Sequence, residues 1–443
     1  MKCKYLFLAV VVFIVPAISF SLPPEWEVLN KVVKGAQFDA IAGPDGKIHL
    51  IAEKYVQIDS SGSVVLSEDV GDGQMSAMDF PPAIATAPDS TVHILTRHNG
   101  DWGSGHDLKY RRRNADGEWD REHPVGVKVA RNYTVGLAAI SADKAYAIHG
   151  DYDGHPSDVR FWEVSGGSSS ELGTLSGVTR ADNHSRLRAF QNTIFFVCGN
   201  NDDPGVSHYS WGESGQSFFN QIESNIKQHT PGSGRRGFPD VYPDKQGNAH
   251  FISGAVQELY YNQYDLTGNK KFSNDKKVMN SMGTWHLSVG LSAIASTDNG
   301  EVILVIGLGT NGSKTASNSD ILWSVSEDSG ATWSPQKTLG PKTEGGEGRL
   351  IPRLAVLNNK FFLFYYDTQK EGVYLATLDY SPEVVSINYK NAFSSRQKLE
   401  TQNRQLIGIS PDYTRRHGRI NLLGQHEMRG TGVYLLENTG IGE

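Results

Sequence analysis

Short runs of β-branched and aromatic residues, each bounded by polar and glycine-rich stretches, recur along the chain. They are GKIHLI (46–51), TVHILT (91–96), KAYAIH (144–149), TIFFVC (193–198), NAHFIS (248–253), EVILVI (301–306) and KFFLFY (360–365). Runs of this length and composition read as strands. Counted between Ile48, Val92, Ala145, Ile194, Ala249, Val302 and Phe361, the spacings are 44, 53, 49, 55, 53 and 59 residues. A repeat of that size is close to the length of one four-stranded propeller blade.

Each run follows a strand of small residues and a turn, as in FDAIAGPDGKIHLI, PPAIATAPDSTVHILT, FPDVYPDKQGNAHFIS and LSAIASTDNGEVILVI. The turns carry Asp-Gly, Gln-Gly-Asn or Asp-Asn-Gly, which tolerate the positive φ of tight hairpins. This pattern predicts an inner strand A, a hairpin and a strand B. Further on, LKYRRRNADGEW, VRFWEVSGG, LYYNQYDLTGN and ILWSVSEDSGATW predict strand C and its turn into strand D. In the last of these, Ser326, Asp328, Gly330, Thr332 and Trp333 fill the S-x-D-x-G-x-T-W pattern of an Asp box; NADGEW is a worn copy. The polar residues of the box are expected to tie the hairpin together, and Trp333 to pack between sheets.

The fold class expected is all-β, a single seven-bladed β-propeller over residues 22–383. PEWEVLNKVV (24–33) is expected to supply the outer strand of the last blade, closing the ring and removing exposed sheet edges. From residue 384 onward, NYKNAFSSRQKLETQNRQ and TRRHGRINLLGQHEMRG break the rhythm. Residues 384–443 are expected to form a C-terminal extension packed on the propeller.

Composition agrees with many short strands: the 443 residues include 47 glycines, 18 tyrosines, 18 phenylalanines and 8 tryptophans, with 21% charged. Residues 1–21 combine Lys2 and Lys4 with an apolar run from Tyr5 to Val15 and small residues at Ala17, Ser19 and Ser21. That is the pattern of a cleaved secretory signal peptide, too short to span a bilayer comfortably, so a secreted, soluble protein is expected. Cleavage removes two lysines and no acid, moving the formal charge from −7 to −9. An acidic protein holds a polyanion only through a local basic patch, and neither a nucleic-acid nor a membrane partner is expected. Cys198 is the one cysteine left after cleavage, so no intrachain disulfide can form. The protein is expected to act as a monomer.

In a propeller, the starts of strands A and the ends of strands B meet at the mouth of the central channel. In this sequence those positions collect His98 and Asn99, Tyr133, His149 and Tyr152, His184 and Arg186, Arg235 and Arg236, His286, Arg349 and Arg353. His49, His93 and His250 fall inside strand B and read as structural. A rim of Arg and His matches carboxylate or sulfate groups, and Tyr and Trp offer faces to sugar rings. Asp151, Asp153, His155 and Asp158, or Asn200, Asp202 and Asp203, could hold a structural calcium or zinc ion, although neither spacing is that of a dedicated metal loop. The identity of any metal stays open.

The Asp box invites a sialidase reading. A sialidase places Arg-Ile-Pro near the domain start; here the nearest match is GRLIPR (348–353), late in the chain with Leu350 inserted. Glycoside hydrolases need two flanking carboxyl groups, and the channel positions are short of acids. His, Tyr and Arg fit β-elimination from a uronate, in which a cation neutralises the carboxylate, a base removes the C5 proton and an acid protonates the leaving oxygen. No cofactor is required. A hydrolase of sialidase-like fold and a non-catalytic carbohydrate-binding propeller are the alternatives.

Signal peptide, seven degenerate neuraminidase-type repeats, no disulfide and a His/Tyr/Arg rim together resemble the propeller-fold ulvan lyases of marine bacteria, over about residues 25–383. The resemblance implies cleavage of a sulfated uronate-containing algal polysaccharide, with a His and a Tyr as base and acid. It places those roles on His98, Tyr133 and His149. Because His149 stands where an arginine is expected, the carboxylate neutraliser falls to Arg186 or Arg235. Asn99, Tyr152, His184, Arg235, Arg236 and His286 would bind substrate.

Overall fold

The computed structural model describes residues 25–380, apart from 36, 71–81, 99–106, 127–134, 151–158, 176–184, 201–204, 213–222, 229–239, 256–257, 267–268, 281–284, 288–291, 312–318 and 340–348. The signal peptide at 1–21 and the extension at 384–443 therefore lie outside the described residues. Every regular element among the described residues is a strand, and the strands form seven antiparallel sheets. The first sheet shows the plan: Asp39–Ala42, Ile48–Ile51, Tyr55–Ile58 and Val64–Glu68 pair in that order.

The hairpins form where the turn residues require them. In the first sheet Gly46 takes φ 75°, and Gly43 N–H donates to Lys47 O at 2.8 Å to close the turn. The strands that the hydrophobic runs predict are all present. In the sixth the matching position Val302 falls in the turn and the strand starts at Ile303, because the hairpin Thr297–Val302 is one residue longer than its counterpart Gly43–Lys47.

The seventh sheet contains Arg349–Leu357, Lys360–Asp367 and Gly372–Asp379, and its outer strand is Glu27–Val33, paired antiparallel with the last of these. The expectation that the N-terminal strand completes the last sheet is thus met. The inner strand of each sheet packs against the inner strand of the next, and that of the seventh packs against that of the first. Seven hydrophobic clusters follow the same succession, each joining one sheet to its neighbour, with the cluster of Phe38, Leu50, Phe362 and Leu375 linking the first sheet to the seventh. Full burial of one such aliphatic or aromatic side chain stabilises by roughly 1.5–3 kcal/mol. The result is a propeller-like all-β fold whose stability lies between sheets.

The Asp box sits in the turn from Ser319–Ser326 to Lys337–Thr338, the third and fourth strands of the sixth sheet. Asp328 accepts from Thr332 N–H at 2.8 Å and Thr332 Oγ1 at 2.6 Å, and Ser326 Oγ accepts from Gly330 N–H at 2.8 Å. Trp333 leaves this knot to pack against Tyr261 of the fifth sheet.

His49, His93 and His250 are structural, as their positions predict. Each sits one residue into strand B and reaches a buried tyrosine of strand C: Tyr55, Tyr110 and Tyr261 at 2.6, 2.5 and 3.0 Å. In the first and fifth sheets the other ring nitrogen meets an aspartate, Asp45 at 3.0 Å and Asp244 at 3.2 Å. A carboxylate can only accept, so in those two sheets Nε2 carries the proton and Nδ1 accepts from the tyrosine hydroxyl.

Candidate functional site

The inner strands run beside the axis about which the sheets succeed one another, so one register position in each defines a layer. Opposite Ile51, Val197, Ile252 and Phe364 that position holds Asp39, Arg186, Asp240 and Arg353. Opposite Leu95, Ile148 and Ile306 it holds Ala83, Gly136 and Ala293. Ala83 and Ala293 belong to the clusters between sheets, and a Cβ at Gly136 would meet Ile148 and Leu187, so the polar groups of this layer come from the other four strands. Arg188, two residues beyond Arg186 on the same strand, adds a third guanidinium.

Two of these groups pair between neighbouring inner strands, and a third reaches further. Arg353 Nε lies 3.4 Å from Asp39 Oδ1, and Arg186 Nε lies 3.6 Å from Asp240 Oδ1. Arg188 Nη2 reaches Asp39 Oδ1 at 4.0 Å although the fourth and first sheets are not neighbours. Only side chains directed at the axis can meet in that way. The carboxylates are also fixed by backbone: Ile84 N–H donates to Asp39 Oδ2 at 3.3 Å, and Ile294 N–H donates to Asp240 Oδ2 at 3.1 Å. Each of these bonds ties an inner strand to the next.

Among the described residues three guanidiniums face two carboxylates; Asp39, Arg186, Asp240 and Arg353 are buried and Arg188 is half-buried, which leaves an excess of positive charge in this layer of an acidic protein. Burial, together with repulsion from Arg186 and Arg188, pulls Arg353 down to about 9 against the opposing pull of Asp39 and Asp240. Burial likewise raises Asp240 above the usual carboxylate range in spite of its arginine neighbours. Arg353 Nε and Asp39 Oδ1 are enclosed without a hydrogen bond of good geometry to each other.

Of the residues proposed from sequence, Arg186 lies in this layer. His149 is described too: it is buried, it accepts from Trp162 Nε1 at 2.9 Å, and its ring stacks on that indole with centroids 5.9 Å apart. Gly126 lies against both rings. His149 is thus held between the second and third sheets, beside Trp162 of its own sheet. His98 ends the strand Val92–His98, its backbone opposite Asp107, and His286 lies in the strand Trp285–Leu287; their side chains lie outside the description. Asn99, Tyr133, Tyr152, His184, Arg235 and Arg236 lie outside the described residues. So do Asp151, Asp153, His155, Asp158, Asp202 and Asp203 and the side chain of Asn200, the groups named for a metal.

Sequence reasoning missed Asp39, Arg188 and Asp240, and its view that the channel is short of acids needs correcting. The signal was present: Asp39 and Asp240 occupy the same place in FDAIAG and FPDVYP. They read as strand-start punctuation because the small residues that follow dominate the pattern.

No protein-family model matches the sequence, and no curated protein sequence does. Solved structures resemble the fold. An ulvan lyase described as a new family of polysaccharide lyase is 11% identical, with TM-score 0.47, covering 79% of this chain and 95% of its own. AofleA from Arthrobotrys oligospora is also 11% identical, with TM-score 0.44, covering 71% and 90%. An α-L-arabinofuranosidase from Fusarium graminearum is 11% identical, with TM-score 0.41, covering 67% and 92%.

Proposed function

We propose that this chain is a secreted polysaccharide lyase built on a seven-bladed propeller, cleaving a uronate-containing, sulfated polysaccharide of the ulvan type by β-elimination. The observation that carries this reading is the surplus of arginine on the axis, from Arg186, Arg188 and Arg353. A net cationic layer in a protein of negative net charge draws an anionic chain to one place. A guanidinium set beside a uronate carboxylate neutralises it and makes the C5 proton acidic; Arg186, oriented by Asp240, is the residue assigned to that work. His98 and Tyr133 are assigned proton removal and leaving-group protonation, with no cofactor, in a monomer.

A second reading has its own support. Asp39 and Asp240 place two carboxyl groups in one layer, and a glycoside hydrolase needs two. One experiment separates the two. Incubation with ulvan should raise absorbance near the ultraviolet edge, from the new C4–C5 double bond, and replacing Arg186 by Met should abolish that rise. New reducing ends without the chromophore would overturn the lyase in favour of the hydrolase; binding without either product would leave a lectin-like propeller.

A further inference from the structure

Away from the axial layer, a cavity of about 410 Å³ opens between the fifth and sixth sheets, among the turns that join strand A to B and strand C to D. Its size lies within the range of small-ligand pockets. The described residues of these turns are braced by hydrogen bonds. Asp244 accepts from Gln246 N–H, Asn248 N–H and Asn248 Nδ2, and Lys271 Nζ donates to Gln263 Oε1 at 2.9 Å and to Ser329 O at 3.0 Å, bridging the two sheets.

Four amide side chains in the lining are each committed at one end only. Gln263 Oε1 accepts from the Lys271 ammonium, which fixes Nε2 as the free donor. Asn299 Oδ1 accepts from Thr297 Oγ1 at 2.8 Å and from Glu301 N–H at 3.2 Å, which leaves its Nδ2 as a second donor. Gln246 Nε2 donates to Asn299 O at 3.2 Å and Asn248 Nδ2 donates to Asp244 Oδ2 at 2.9 Å, leaving two carbonyl oxygens as acceptors. The charged groups are otherwise engaged: Asp265 accepts from Asn269 at 2.8 Å, and Lys270 pairs with Asp275.

We propose that this cavity is a binding site for a neutral saccharide, distinct from the axial site and independent of the lyase reading. Two donors and two acceptors on fixed amides match adjacent sugar hydroxyls, each of which both donates and accepts. A lining in which two carboxylates balance two ammoniums gives neither an anion nor a metal ion a net attraction. Such a site would hold a glycan by a neutral residue.

The test is calorimetric titration of the full chain with the methyl glycosides of glucose, galactose, mannose and xylose, none of which a lyase can cleave, and with glucuronic acid. Saturable binding of at least one neutral glycoside is expected. The double variant Gln263→Glu/Asn299→Asp keeps both internal acceptors and removes both donors, so affinity should fall about tenfold or more while thermal stability holds. Should the double variant fold poorly, Gln246→Ala, on an exposed hairpin, should still weaken binding severalfold. Binding of no neutral glycoside, binding of glucuronic acid alone, or unchanged affinity in the folded variants would overturn the proposal.

Discussion

Trp333 of the sixth sheet stands edge-on to Tyr261 of the fifth, with ring centroids 5.1 Å apart and planes at 63°. The indole N–H donates to Gly330 O within the Asp box, and the Tyr261 hydroxyl bonds His250, so the contact joins two internally braced hairpins. Removing a large aromatic from a packed site costs roughly 3–5 kcal/mol, and less where the ring is partly exposed as here. Trp333→Ala should therefore lower stability by about 2–3 kcal/mol. A shift of the urea midpoint at unchanged slope would show it, and Trp333→Phe should restore most of the loss.

Gly330 reports on the same joint from the other side. A Cβ there would lie 2.2 Å from Tyr261 Cε1, at φ +86°. Gly46 has a similar φ of +75° but nothing within 4 Å of a Cβ. Gly46→Ala should cost only the left-handed conformation, about 1 kcal/mol. Gly330→Ala should cost about 2 kcal/mol more from overpacking. Equal midpoints for the two variants in chemical denaturation would refute a close approach at the box.

The axial layer makes a different prediction. Arg353→Met leaves Asp39 buried with Arg188 4.0 Å away as its remaining charged partner, and loss of one member of a buried pair costs about 3–5 kcal/mol. Arg353→Met/Asp39→Leu removes both charges and should be the more stable of the two variants. A double-mutant cycle followed by thermal unfolding measures the coupling; additive effects would mean that the pair is not formed.

Acid should unfold the protein through its histidines. Burial, with a contribution from Arg112, lowers His93 to about 4 from an ordinary value of 6.5. The unfolded chain then binds the extra proton first, so this stability is full above pH 6.5 and is lost as pH falls from there through 4, by up to about 3 kcal/mol. Asp45 acts lower down. Burial alone would raise it, but the bond from His49 and its charge bring it to about 2, so its share is lost below its ordinary value of 3.8. Urea midpoints at pH 7, 5 and 4 should fall steadily, and His93→Gln should flatten the upper part of that fall. A flat profile in the parent protein would contradict neutral burial of His93.

The antiparallel sheets, their hairpins and the pairing of the N-terminal strand with the last sheet were legible because period-2 strands and turn residues act locally. The Asp box was legible for the same reason: Asp328, Ser326 and Thr332 bond to groups within a few residues of themselves. The axial layer was legible only in part. Arg186 and Arg353 stood out as charges at strand positions facing the axis, but their pairing with Asp240 and Asp39 joins residues 54 and 314 apart in sequence. Nothing local distinguishes an aspartate that caps a turn from one that anchors an arginine of another sheet. His149 shows the converse limit, since the strand end that could face the channel turns its imidazole onto Trp162.

The outer strand of the seventh sheet has a temporal consequence. Val33 pairs with Val373, 340 residues later, so Glu27–Val33 must wait without its partner while the residues between them are synthesised. Loop closure over such a span is slow and entropically late. Six sheets can form as their hairpins emerge from the ribosome, but the seventh cannot be completed until Gly372–Asp379 is free. A nascent chain stopped before residue 372 would carry Glu27–Val33 as an unpaired strand at its front. Joining Glu27–Val33 to Gly372–Asp379 therefore ties completion of the seventh sheet to translation of the whole span between them.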